Sequence, residues 1–164
     1  MFKFFKRWLR RKKLNSIDVK KIPPLYDANK KIYAKVIDVY DGDTITILYL
    51  FRNKIPMKIK LRIIGIDTPE IKGDGEEEKA AKLIKDDVKR LILGKFFYFI
   101  MYKFDKYGGR ILGDLYIKKN LTLSDYIIVN GYGKKYTDKK KESWNKKELK
   151  EIIVKFNRNK SINI

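Results

Sequence analysis

The 164-residue chain contains no histidine and no cysteine. Without histidine there is no imidazole general base, no imidazole metal ligand and no Ser-His triad. Without cysteine there is no disulfide, no thiolate nucleophile and no cysteine zinc site, and the redox compartment stays undecided. No apolar run is long enough to span a bilayer or to form the core of a cleavable signal peptide, which favours a cytoplasmic or membrane-surface location. Acid is scarce: 20 Asp+Glu face 40 Lys+Arg, a formal net charge of +20. That balance is the electrostatic footprint of a nucleic-acid binder, although other basic proteins share it. What remains for catalysis is carboxylate, lysine, arginine, tyrosine and a cation held through oxygen.

Hydrophobic residues make up 44% of the chain, enough for the core of one domain. Residues 1–13 read as a basic amphipathic helix. Met1, Phe2, Phe4, Phe5, Trp8 and Leu9 share one face, while Lys3, Lys6, Arg7, Arg10 and Arg11 take the other. Such a helix suits an anionic membrane surface; Arg10-Arg11-Lys12-Lys13 also reads as a nucleic-acid or import patch, and an inert basic arm fits equally. Pro23-Pro24 breaks the chain, so residues 1–30 are expected to form an arm and linker.

From Lys31 the pattern turns to strands, with β-branched and aromatic residues on both sides of a turn at Asp41-Gly42. From Met57 to Ile64, Ile59, Leu61 and Ile63 alternate with Lys58, Lys60 and Arg62, which puts Arg62 opposite the apolar stripe. A helix follows, opened by Glu76-Glu77-Glu78, carried by Ala81, Ile84, Val88 and Leu91, and stopped at Gly94. Strands are expected over 96–103 and 110–117, then a short helix capped at Thr122-Leu123-Ser124-Asp125 and ending near Gly131. A last helix is expected over 145–156 in a lysine-rich tail. The resulting fold class is α+β: a five-stranded barrel with about three helices.

On so basic a chain the clustered acids require a reason. Asp41-Gly42-Asp43-Thr44 alone is ordinary hairpin chemistry. Asp67-Thr68-Pro69-Glu70 is a strand end followed by a bend that the proline enforces. Asp105-Lys106-Tyr107-Gly108-Gly109-Arg110 alone is a glycine-rich turn. Taken together they supply carboxylates for a hard cation and two arginines for phosphate, the parts of a metal-dependent phosphodiesterase.

In this order and with these strands around them, the three strings resemble the staphylococcal nuclease family, whose barrel is an OB-fold. The family pattern reads D-G-D-T, then R-x-x-x-x-D-T-P-E, then D-K-Y-G-R. The match covers residues 31–137, leaving 138–164 as a Lys-rich helix and tail, and fills every fixed position of the second motif. The resemblance implies that Asp43, Asp67 and the Thr68 carbonyl ligate Ca2+. It implies that Glu70 is the base or water-orienting residue, and that Arg62 and Arg110 hold the phosphate and its transition state. Lys106 and Tyr107 would contact the terminal phosphate and nucleotide, and Tyr136 would stack on a base. DNA or RNA would be cut with little sequence preference to 3′-phosphate and 5′-hydroxyl ends, by a monomer. The chain departs from the pattern by one extra glycine before Arg110 and by a Gly- and Glu-rich segment over 71–78.

Three other readings compete. A catalytically inactive module that only binds nucleic acid or a protein would normally lack some of the acids or arginines. A D…ExK endonuclease site built on Asp43, Glu70 and Lys72 would require Pro69 inside a strand. A basic packaging or membrane-surface protein leaves the acidic cluster unexplained.

Overall fold

The computed structural model describes residues 2–18, 29–106, 109–137 and 141–162. The expected linker around Pro23-Pro24 lies outside the described residues. Helix α1 (Phe2–Asn15) confirms the helical reading of the first segment, and its apolar residues Phe4, Phe5, Trp8 and Leu9 are all exposed.

Strands β1 (Lys31–Val39), β2 (Thr44–Phe51) and β3 (Ile55–Ile63) form an antiparallel meander. Strands β5 (Phe96–Phe104) and β6 (Arg110–Lys118) pair antiparallel with each other, and β5 also pairs with β1. The parallel pairing of β3 with β6 closes the barrel, with Lys60 opposite Arg110 and Arg62 opposite Leu112. Closure satisfies both edges of the sheet, which is how a small barrel avoids exposing unpaired backbone. Pro56 is tolerated near the start of β3 because the β6 pairing begins only at Lys60, so its missing N–H is not asked for on that side. Gly113 sits on β6 where a Cβ would run into the Ile100 carbonyl, so side-chain absence sets the β5–β6 approach. Two short strands, β4 (Ile66–Asp67) and β8 (Lys134–Lys135), pair separately, and β7 (Leu121–Thr122) extends the large sheet beyond β6.

Period-2 alternation fills the barrel: Val36, Ile45, Ile47, Leu61, Phe99, Met101, Ile111 and Leu115 are buried inside it. Helix α2 (Glu76–Ile92) covers one side with Ala80, Ala81, Ile84, Val88 and Ile92. Its last buried residue is Ile92; Leu91, expected on that face, is half-buried one position round the helix. Gly94 takes a left-handed φ of 75° and ends the helix. Helix α3 (Leu123–Val129) opens on the expected capping box, with Thr122 and Asp125 bonding reciprocally to each other's backbone N–H. Helix α4 (Lys146–Ile162) adds Leu149, Ile152, Ile153 and Phe156 to the same core, Phe156 stacking on Tyr132 at 4.8 Å. The architecture is therefore α+β, a closed five-stranded barrel with α2, α3 and α4 packed outside it. Among the described residues no helix is long and apolar enough to cross a membrane.

Candidate active site

The site grows from the ends of the strands. The β1–β2 turn places Asp43 beside the end of β3, where the Ile63 N–H donates to the Asp43 carbonyl at 2.7 Å. Gly42 is required in this turn. A Cβ there would lie 2.8 Å from Ile84 Cγ2 and 2.9 Å from Thr68 Cγ2, so helix α2 and the Asp67-Thr68 strand end press directly on the turn. The Asp43 N–H donates to Asp41 Oδ1 at 3.1 Å. Asp43 Oδ2 accepts from both the Thr68 N–H and the Thr68 hydroxyl, each at 3.1 Å, which ties the first motif to the second.

Arg62 emerges from β3 on the face opposite Leu61 and Ile63, and its side chain is only 13% exposed. Its guanidinium lies 2.9 Å from Asp43 Oδ2, donates to Asp67 Oδ1 at 3.2 Å and to its neighbour's carbonyl on Ile63 at 3.1 Å. One arginine therefore stands between two buried acids. The balance is short of positive charge. Burial holds the Asp43 carboxyl above the usual carboxylate range, against Arg62 and with Asp41 adding to the effect. Burial raises Asp67 as well, against the pull of Lys141. Asp67 Oδ2 is buried with no hydrogen-bond partner. Unpaired buried oxygens are costly and need an explanation.

The outer part of the site lies on loops and at the start of β6. Pro69 is buried, while Glu70 is exposed at the rim; its N–H donates to Glu77 Oε1 at 3.1 Å, so the acidic start of α2 clasps the loop. Arg110 opens β6 across a turn in which Gly109 takes a φ of 67°, and its Nε donates to Asp105 Oδ2 at 2.8 Å. Lys141 reaches in from the segment before α4, with its ammonium 3.0 Å from Asp67 Oδ1 and bonded also to Glu70 Oε1. Burial works against the charge on Lys141, but its bonds to Glu70 and Asp67 hold its pKa above the ordinary lysine value.

Asp43, Arg62, Asp67, Glu70, Lys106, Arg110 and Tyr136 all line one cavity of about 590 Å3. Thr68 is buried just behind them, bonded to Asp43. Tyr107 lies outside the described residues. Tyr136 is fixed by its N–H, which donates to the Gly65 carbonyl at 2.9 Å, continuing the β4–β8 pairing. Sequence reasoning missed Lys141, which belongs to a run of three consecutive lysines with nothing to single it out. It also missed the pairing of Asp105 with Arg110, for which the short Asp-x-x-x-x-Arg spacing around glycine was the available signal.

Among the described residues no three acidic side chains stand close enough to hold a metal by themselves. The donors that could hold one are the Asp43 and Asp67 carboxylates with the Thr68 carbonyl. This all-oxygen set suits a hard divalent cation, and the orphaned Asp67 oxygen fits such a ligand. Two arginines in the same cavity can grip a phosphate, and an exposed carboxylate beside them can take a proton.

A closed barrel carrying these three motifs at one cavity defines a nuclease-type domain. The family model described as Staphylococcal nuclease homologue matches residues 60–161, more than half of the chain, and the chain belongs to that family. No curated protein matches it. At the level of the family, membership carries nuclease-type function and nucleic acid as the substrate class.

Proposed function

We propose that the chain is a Ca2+-dependent phosphodiesterase that hydrolyses DNA or RNA without regard to the sugar, leaving 3′-phosphate and 5′-hydroxyl ends. The observation that carries the reading is the single cavity shared by Asp43, Asp67, Arg62, Glu70 and Arg110. Asp43, Asp67 and the Thr68 carbonyl would hold the cation, with Thr68 orienting Asp43 through its N–H and hydroxyl. When bound, the cation supplies positive charge to a phosphoryl oxygen in a site otherwise short of it.

Every other step belongs to the chain's own groups. Glu70 accepts the proton of the attacking water, the role a histidine would otherwise fill. Arg62, anchored on two carboxylates, presents a fixed guanidinium to the phosphate. Arg110 exchanges Asp105 for a phosphate oxygen and neutralises charge that grows on the equatorial oxygens, a contribution of several kcal/mol in related sites. Lys106 and Tyr107 extend the grip to a neighbouring phosphate, and Tyr136 offers a ring to a base. The exposed apolar face of α1, rimmed by lysines and arginines, supports contact with an anionic membrane surface.

Glu70→Gln tests the reading. Turnover should fall by roughly 10²- to 10⁴-fold while affinity for DNA holds. Retention of most activity would remove Glu70 from the mechanism. Digestion of single-stranded DNA with Ca2+, with Mg2+ and with chelator, followed by typing of the product ends, tests the metal and bond cleaved. Tight binding without cleavage under every condition would favour the inactive binding module.

A further inference from the structure

The proposed cation site already contains a cation that belongs to the chain. Lys141 places its ammonium 3.0 Å from Asp67 Oδ1 and bonds Glu70 Oε1 as well. These are the two carboxylates that the preceding reading assigns to the metal and to the attacking water. Asp67 Oδ1 is thus shared by Lys141 and Arg62, while Asp67 Oδ2 has no partner. A divalent ion entering against Asp67 would face two positive side chains on one carboxylate. Arg62 is held in place by Asp43 and the Ile63 carbonyl, and it is mostly buried. Lys141 is 44% exposed and sits on a segment outside the barrel, so it is the cation free to leave.

We infer that Lys141 is a tethered competitor of the divalent cation: its ammonium neutralises Asp67 and Glu70 when the ion is absent and must be displaced when the ion binds. Lys141 thereby sets the ion's affinity. It also ties up Glu70, so the carboxylate assigned to the water is released by the same event that loads the site. A monovalent side chain cannot replace the ion fully, because a lysine ammonium offers one charge and leaves Asp67 Oδ2 unpaired. The inference rests on the reading of Asp67 as a cation ligand.

The test is Ca2+ binding to the full chain by titration calorimetry, without nucleic acid. Lys141→Met keeps the length of the side chain and removes its charge; Lys141→Arg keeps the charge. Lys147→Met, on the exposed surface of α4, controls for a general loss of positive charge. Lys141→Met should bind Ca2+ about fivefold or more tightly than the parent, the scale of a half-exposed charge contact. Lys141→Arg and Lys147→Met should stay near the parent. The thermal shift on adding Ca2+ should also be larger in Lys141→Met, because its acids have no substitute cation when the ion is absent. Asp67→Asn separates the two levels of the argument. Weakened Ca2+ binding in Asp67→Asn with parental affinity in Lys141→Met would overturn the inference and leave the cation site standing. Parental binding in Asp67→Asn would overturn the cation site itself, and an equal gain in Lys147→Met would reduce the role of Lys141 to bulk charge.

Discussion

The cavity has two halves that are built differently. The inner half, Asp43, Arg62, Asp67 and Thr68, stands on strand ends, is buried, and is cross-linked within itself. The outer half stands at the rim, Glu70 and Lys141 on loops and Arg110 at the first residue of β6, with side chains from 30% to 54% exposed. Both are rich in ion pairs, yet the pairs mean different things. Inner pairs are desolvated, so breaking one strands a charge in the protein. In the outer pairs the cations Arg110 and Lys141 are 30% and 44% exposed, and Glu70 opposite Lys141 is exposed as well. Those cations therefore exchange partners more readily than Arg62 does, although Asp105 behind Arg110 is buried. On the proposed roles, a site arranged this way keeps the residues assigned to the cation fixed while Arg110 and Glu70, assigned to the phosphate and the proton, change partners.

The largest effect that could break this contrast comes from Arg62→Met. It leaves Asp43 and Asp67 buried without their guanidinium, and should cost about 3–5 kcal/mol of stability in urea denaturation with chelator present. A loss below about 1 kcal/mol would mean that the inner half is as loosely held as the outer. Arg110→Lys should do the reverse. Turnover should fall by roughly 10²-fold, because lysine cannot present the planar fork, while stability moves by less than about 1 kcal/mol. An equal loss of stability in the two variants would erase the distinction between the halves. Gly42→Ala sharpens it, since the added Cβ meets Ile84 and Thr68. It should destabilise by about 1–3 kcal/mol, the usual range for overpacking, and weaken Ca2+ binding through Thr68. The smallest effect is expected from removing residues 1–13, which should leave hydrolysis of a short oligonucleotide unchanged and reduce sedimentation with anionic vesicles. A large drop in the hydrolysis rate would make α1 part of the site.

Legibility in the sequence follows the same division. In the inner half, alternation gave the direction of Arg62, since Leu61 and Ile63 point into the barrel and Arg62 between them had to point out. Asp43, Asp67 and Thr68 were readable only through the resemblance of their motifs to the family pattern. The capped helices were readable from their boundary residues, Thr122 and Asp125 at one start and Gly94 at one end. The two-residue strands β4 and β8 were not, because a pair that short has no period to detect. Lys141 was invisible for another reason. Its role comes from where the chain folds back on the cavity, not from its neighbours in a lysine-rich run. Helix α1 lies between these cases: its amphipathicity declares a helix, and says nothing of what the apolar face meets.

The parallel seam between β3 and β6 has a consequence for the life history of the chain. Arg62 and Arg110 lie 48 residues apart in sequence and come together only when that seam closes, with Lys60 opposite Arg110. A growing chain that has finished the β1–β3 meander carries Asp43 and Arg62 but lacks the second arginine. It therefore has half of its phosphate grip until β6 has been synthesised and zipped into place. On the proposed roles, both arginines face one phosphate only once β6 has paired with β3, so hydrolysis depends on a pairing between segments 48 residues apart.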